Sequence, residues 1–142
     1  MLPLFADVAA PAPPAPQIPD AAELWRWLPI GYALTVLIET PVLLLVLSAR
    51  HPLRDRLFAG AWLTACTYPA FILSLSQAIP HDRTAYLLIG ETLVPAAECL
   101  LFWAAFGTAE LRWSRSMWRD FAAVTLANVV SFLLGEFFHR MG

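Results

Sequence analysis

Three glutamates stand inside long apolar stretches of the sequence, where an ionised side chain is costly. They are Glu39, Glu91 and Glu98, and no arginine or histidine lies beside any of them in the chain. A charged group at membrane depth costs at least ~2.5 to 3.5 kcal/mol on insertion scales, so such residues usually face a bundle interior or a wet cavity. These three carboxyls are therefore the first candidates for binding a proton or a cation.

Two of the glutamates share one apolar stretch. Glu91 and Glu98 are separated by about two helical turns, which places both on one face of a helix roughly 10 Å apart along its axis. Glu39 can fall between them in depth if the first and third helices are neighbours. Three acidic groups without a cationic partner cannot all ionise together, so we expect one or both of Glu91 and Glu98 to be protonated at about pH 7.

Polar side chains also occur in the fourth apolar stretch. Asn128 is central, and Thr125 and Ser131 lie one turn to either side, forming a polar stripe that can face the glutamates. Hydrogen bonding between helices is the expected role of this stripe, and Asn128 joins the three glutamates as a candidate. We expect His51 and His81, which fall in connectors, to be solvated.

Prolines interrupt the first three apolar stretches near their middles, at Pro41, Pro69 and Pro95. Each proline removes one amide donor and frees the carbonyl four residues earlier, so we expect helix kinks there. Freed carbonyl oxygens close to carboxyls could also line a cation site, although a simple kink is the more common role. The residues leave any metal or cofactor unspecified.

Composition identifies the elements that carry these side chains. Of 142 residues, 59% are hydrophobic and 14% charged, against roughly 25% charged in soluble domains. Four apolar runs, at 28–49, 57–78, 85–106 and 118–138, each approach the ~20 residues that cross a bilayer. We predict an all-α integral membrane four-helix bundle over residues 25–142, preceded by a Pro/Ala-rich extracytoplasmic tail at 1–24. No nucleic-acid footprint is present.

The arginines predict the orientation of these helices. Six of them fall in the first and third connectors, and three on the opposite side. The first group comprises Arg50, Arg54, Arg56, Arg112, Arg115 and Arg119, and the second Arg26, Arg83 and Arg140. Because cytoplasmic loops are enriched in positive charge, both termini are predicted to be extracytoplasmic.

The two halves of the chain share a faint repeat. IETPV in the first apolar run matches GETLV in the third, and LTACTYPAF in the second can be aligned with VTLANVVSF in the fourth. Such a repeat predicts a parallel duplication of a two-helix hairpin about an axis along the membrane normal. Chance similarity between two apolar helices rich in Leu and Ala is the alternative.

The second half, GETLVPAAECLLFWAAF followed by LANVVSFLLGE, resembles a pattern found in small four-span bacterial membrane proteins. The resemblance implies a multi-pass protein of the bacterial inner membrane and brings no activity with it. The chain lacks the Glu and His set of intramembrane proteases, a CxxC pair and a Gly-rich phosphate loop. We therefore do not predict an enzyme.

Two functions remain open from the sequence. The first is a transport-type or channel-type protein that handles a proton or cation through its intramembrane carboxyls. The second is a non-catalytic assembly or accessory subunit of a larger membrane complex, in which the polar groups secure helix contacts. If the glutamates converge on a wet cavity, the transport-type or channel-type function is favoured. If each glutamate has its own hydrogen-bond partner, the accessory subunit is favoured. Four helices surround little volume, which favours a homo-oligomer or a complex subunit in the bilayer.

Overall fold

The computed structural model of the protein describes residues 21–79, 83–110 and 113–141. The predicted tail up to residue 20 and the prediction for His81 lie outside these ranges.

Four α-helices account for most of the described residues. They are α1 (Ala21–Val46), α2 (Leu53–Ala78), α3 (Arg83–Phe106) and α4 (Arg115–Met141). Each contains an apolar segment long enough to cross a bilayer, at Ala22–Val46, Leu53–Leu75, Thr84–Phe106 and Arg115–Phe138. The prediction of an all-α chain with four helices of membrane-spanning length is confirmed, and these helices suit a multi-pass membrane protein.

The helix ends differ from the predicted runs because hydropathy does not report hydrogen bonding at a helix end. α1 begins at Ala21, well before the predicted start at residue 28, since a helix can continue into the polar layer beyond the hydrocarbon. It ends at Val46 and not at residue 49, because the backbone amide of Ser48 donates to a carboxylate of α4. α2 begins directly after Pro52, whose extended backbone precedes the first helical turn.

The helices form a closed ring in chain order. α1 packs on α2 and α4, and α3 packs on α2 and α4, so α1 and α3 face each other diagonally within the described chain. Neighbouring helices are antiparallel, because the connectors 47–52, 79–82 and 107–114 are too short to return along a helix of ~39 Å. We call the end with connectors 47–52 and 107–114 the loop end. The opposite end, where α1 begins and α4 ends, is the terminal end.

Tight apolar packing is confined to the half of the bundle nearest the loop end. The fully buried hydrophobic side chains, which we call the apolar layer, are Leu43, Leu47, Ala59, Leu63, Phe102, Met117, Ala123, Val124 and Ala127. α1 and α2 are in close contact beside this layer, where a Cβ added to Gly60 would overlap the side chain of Thr40. Glycine is thus required for that contact.

The three predicted kink prolines lie inside continuous helices. α1 passes through Pro41, α2 through Pro69 and α3 through Pro95 without a break in the helix. Pro41 is exposed, Pro69 is partly buried and Pro95 is buried. Only Pro95 therefore lies fully inside the bundle, on the same helix as Glu91 and Glu98.

Candidate functional site

Glu39 is buried in the middle of the bundle with 3% of its surface exposed. Its carboxyl Oε2 lies 2.9 Å from the hydroxyl oxygen of Thr64 on α2. The same hydroxyl lies 2.9 Å from the backbone carbonyl oxygen of Gly60, one turn earlier in α2. Thr64 therefore links a carboxyl of α1 to the backbone of the neighbouring helix.

Glu98 occupies a similar position on α3, with 2% of its surface exposed. Its Oε1 lies 2.7 Å from the hydroxyl oxygen of Thr67, which also lies 3.0 Å from the carbonyl oxygen of Leu63. The amide of Asn128 on α4 donates to Oε2 at 2.7 Å and to the carbonyl of Val124 at 3.0 Å. One carboxyl thereby connects α3 to both of its neighbours.

These contacts join all four helices at one level of the bundle. We call the set of five residues the polar layer: Glu39, Thr64, Thr67, Glu98 and Asn128. Thr64 and Thr67 lie about one turn apart on α2, so the two carboxyls that they contact, those of Glu39 and Glu98, lie near one another. Three of the four predicted candidates, Glu39, Glu98 and Asn128, therefore lie together.

Hydrogen counting shows what each threonine can do. A hydroxyl has one hydrogen, so Thr64 cannot donate to the Gly60 carbonyl and to Glu39 at the same time. When Glu39 is protonated, it donates to the hydroxyl, which then donates to the carbonyl. When Glu39 is ionised, rotation of the hydroxyl lets it donate to the carboxylate. The Thr67 and Glu98 pair allows the same two states.

Glu91 does not belong to the polar layer. It is partly exposed and lies about two turns nearer the terminal end than Glu98. Thr125, predicted to face the glutamates, is exposed instead, and its hydroxyl lies 3.9 Å from the sulfur of Cys99. Sequence spacing alone misplaced these two side chains because a helix face that meets lipid is as apolar as one that meets a neighbour.

A second polar cluster at the loop end was missed from the sequence. Asp120 of α4 is fully buried and accepts from the backbone amide of Ser48 at 2.7 Å and its hydroxyl at 3.0 Å. Arg50 donates to the carboxylate from Nη2 at 2.7 Å and from Nε at 3.0 Å. Together with His51, these residues form what we call the loop clamp.

The prediction that His51 is solvated was wrong. Its side chain is buried, with Nε2 3.0 Å from Oδ2 of Asp120. The rings of Phe102 and Phe106 pack edge-on against the imidazole, with centroids 5.3 and 5.4 Å away. The one signal for this arrangement is the position of Asp120 at the start of an apolar run, opposite an Arg-His pair in a short connector.

Arg56 completes the connector by satisfying backbone carbonyls where α1 ends. Its guanidinium donates to the carbonyl oxygens of Leu44 at 2.6 Å, Ser48 at 3.1 Å and His51 at 2.9 Å. The last carbonyls of a helix have no partner within the helix, so a cation there is stabilising. Two of the arginines counted for orientation, Arg50 and Arg56, thus also hold the connector in place.

The two polar clusters differ in the chemistry of their partners. Asp120 is held by a guanidinium and an imidazole, which suit an ionised carboxylate. Glu39 and Glu98 are held by hydroxyls and an amide, all of them neutral. No group of three or more His, Cys, Asp and Glu side chains within the described ranges is placed to hold a metal ion.

The chain matches no protein-family model, no curated protein and no solved structure.

Proposed function

We propose that this is a small polytopic membrane protein of transport type that takes up and releases protons at Glu39 and Glu98. The main observation in support is that both buried carboxyls have neutral hydrogen-bond partners, whereas the buried carboxylate of Asp120 in the same bundle has cationic partners. The location that accompanies this proposal is the bacterial inner membrane with both termini extracytoplasmic.

Glu39 and Glu98 are buried with neutral hydrogen-bond partners, and this favours the protonated, uncharged form of each side chain. An isolated ionised carboxylate in a medium of low dielectric constant is very costly, and a group in that position gains a proton instead. Two such carboxyls near one another add mutual repulsion when both ionise. A proton is therefore the simplest ligand for the polar layer.

The two threonines can hydrogen-bond the carboxyls both when the proton is bound and when it has been released. Because each hydroxyl can turn between a helix carbonyl and a carboxyl, loss of the proton leaves the carboxylate with a donor in place. No helix has to move for either state to keep a hydrogen bond. Such an arrangement permits repeated protonation at little structural cost.

One observation favours a second candidate function, a non-catalytic assembly or accessory subunit. Each buried glutamate has its own partner on an adjacent helix, Thr64 for Glu39 and Thr67 with Asn128 for Glu98. Hydrogen bonds of this kind secure helix packing in membranes. Under this alternative the carboxyls stay protonated at all pH values at which the bundle is folded.

Infrared spectroscopy across a pH series distinguishes the two functions. We expect the purified protein in lipid vesicles to show carboxyl bands that change reversibly with pH. Part of this change should be absent in Glu39→Gln and part in Glu98→Gln. Glutamine keeps the size and hydrogen-bonding capacity of the side chain while removing ionisation.

Glu110→Gln is the matched control, because Glu110 is an exposed glutamate in the connector between α3 and α4. It should leave the bands of the buried carboxyls unchanged. If the spectra of Glu39→Gln and Glu98→Gln differ from the parent by a band that is constant across the pH series, the proton-exchange proposal is overturned in favour of the accessory role.

A further inference from the structure

The polar layer is closed on the side of the loop end. One helical turn from four of its five members, in that direction, lies a fully buried apolar side chain. These neighbours are Leu43 after Glu39, Leu63 before Thr67, Phe102 after Glu98 and Val124 before Asn128. Because residues four apart share a helix face, every helix contributes to one continuous apolar layer. This layer separates the polar layer from the loop clamp.

The terminal side of the polar layer has a different character. Beyond it, Gly90 and Pro95 are the only buried residues among those whose burial is described. A lateral groove of about 470 Å³ between α2 and α3 extends from Thr67 to Ala78, near the terminal end. The helices in this half of the bundle therefore enclose no sealed core.

Four polar side chains lie on the terminal side of the buried carboxyls. They are Tyr68 on α2, Tyr86 and Glu91 on α3, and Glu136 on α4, and all four are partly exposed. Glu91 lies on α3 about two helical turns nearer the terminal end than Glu98, and therefore between the polar layer and the terminal end.

We propose that, in the conformation described here, the polar layer exchanges protons with the terminal end alone, by way of Glu91, and that the apolar layer seals it from the loop end. This inference rests on the proposed function, since it assigns the access route of the same carboxyls. Glu91 lies outside the polar layer, and its proposed role is to pass protons between the terminal end and the buried glutamates. The bundle described here is a one-sided proton site and not an open channel.

Cysteine accessibility tests the access route without measuring protonation. In a background with Cys66 and Cys99 replaced by alanine, single cysteines are introduced in place of Glu91 and Ala127. The protein is reconstituted in sealed vesicles in one orientation, and a charged, membrane-impermeant thiol reagent is added to either side. Arg140→Cys, near the end of α4, and Arg54→Cys, at the loop end, are exposed reference positions.

We expect Glu91→Cys to react from the side that labels Arg140→Cys, and Ala127→Cys, in the apolar layer, to react from neither side. Reaction of Glu91→Cys from the side that labels Arg54→Cys, or reaction of Ala127→Cys from either side, overturns the proposal. Should Glu91→Cys fail to fold, Tyr86→Cys is expected to give the same sidedness from further along the same route.

A kinetic measurement assigns Glu91 to that route. After a pH jump imposed on the terminal side, the carboxyl band of Glu98 in Glu91→Gln should change at least tenfold more slowly than in the parent and reach the same final amplitude. An unchanged rate overturns the role of Glu91. If the Glu98 band does not respond to pH even in the parent, the proposed function fails, while the labelling result on the seal stands on its own.

Discussion

At the scale of single residues, two threonines of α2 supply hydrogen bonds to the buried carboxyls of Glu39 and Glu98. A threonine inside a helix commonly bonds its own carbonyl four residues earlier, so the sequence gives no sign that it also faces an acid across the bundle. Thr64 and Thr67 make both contacts. The glutamates could be identified as candidates from the sequence, because an ionisable carboxyl in an apolar run has a high free-energy cost whichever way it faces. A hydroxyl in the same position costs little and does not stand out.

Thr67→Val should loosen the contact between α2 and α3. Valine has the shape of threonine without the hydroxyl, so Oε1 of buried Glu98 loses its partner. We expect the free energy of unfolding to fall by about 0.6 to 1.7 kcal/mol, the range for hydrogen bonds between membrane helices. Thr92→Val is the control, because Thr92 is exposed and bonds only the carbonyls of its own helix. Equal losses in both variants, measured by denaturant titration in detergent, would contradict this role of Thr67.

Removing the charge of Asp120 should cost far more than removing the ionisable group of Glu98. Asp120→Asn leaves Arg50 beside a neutral amide, and we expect a loss of about 3 kcal/mol, the low end for broken buried pairs, because Arg50 keeps some exposure. Glu98→Gln should cost less than about 1 kcal/mol, since its partners are neutral. Unfolding measured side by side at pH 7 compares them. A larger loss in Glu98→Gln than in Asp120→Asn would mean that Glu98 is ionised in the bundle.

At the scale of the helices, the sequence predicts how many there are but not how they pair. Run length fixes the number, because about 20 apolar residues are needed to cross the bilayer. The buried face of a membrane helix is no more apolar than its lipid face, so periodicity does not identify it. For this reason the diagonal placement of α1 and α3 and the exposure of Thr125 could not be predicted.

The proposed duplication of a two-helix hairpin stays a prediction. Its alignment pairs Glu39 with Glu91, yet Glu39 is buried against Thr64 whereas Glu91 is partly exposed. By environment, the counterpart of Glu39 is Glu98, since each is buried, hydrogen-bonds to a threonine of α2 and is followed one turn later by a buried apolar side chain. A duplication in that register would be shifted by about two turns from the one the sequence suggests.

The close approach of α1 and α2 depends on Gly60. A Cβ at this position would overlap Thr40, so Gly60→Ala should force the helices apart and lower the free energy of unfolding by about 1 to 3 kcal/mol. Gly135→Ala is the matched control, because a Cβ there meets nothing within 4 Å. Alanine should leave stability at position 135 unchanged or raise it by up to about 1 kcal/mol through helix propensity. Similar behaviour of the two variants in the same unfolding assay would show that the helices do not touch at Gly60.

At the scale of the whole molecule, the bundle is asymmetric along its length. The loop-end half contains the apolar layer and the loop clamp, and the terminal half has few buried side chains in the described chain. The polar layer lies at the boundary between the two. Six arginines lie in the connectors of the packed end or in the first turns of the helices that follow them, and two of these, Arg56 and Arg119, donate to backbone carbonyls. The end of the bundle that is more tightly packed is therefore also the end with more positive charge.

This asymmetry leads to a prediction of membrane orientation. Positively charged loops are retained in the cytoplasm, so the loop end should be cytoplasmic and both termini should lie outside. In intact cells, with Cys66 and Cys99 replaced by alanine, a membrane-impermeant thiol reagent should label Ala9→Cys and Arg140→Cys directly. Arg54→Cys and Arg115→Cys should be labelled only after the cells are permeabilised, because both positions are exposed at the opposite end. The reverse pattern would invert the topology and place the access route of the polar layer in the cytoplasm. Labelling of Ala9→Cys and Arg140→Cys from opposite sides would mean that one of the four helices does not cross the membrane, since an even number of crossings returns the chain to its starting side.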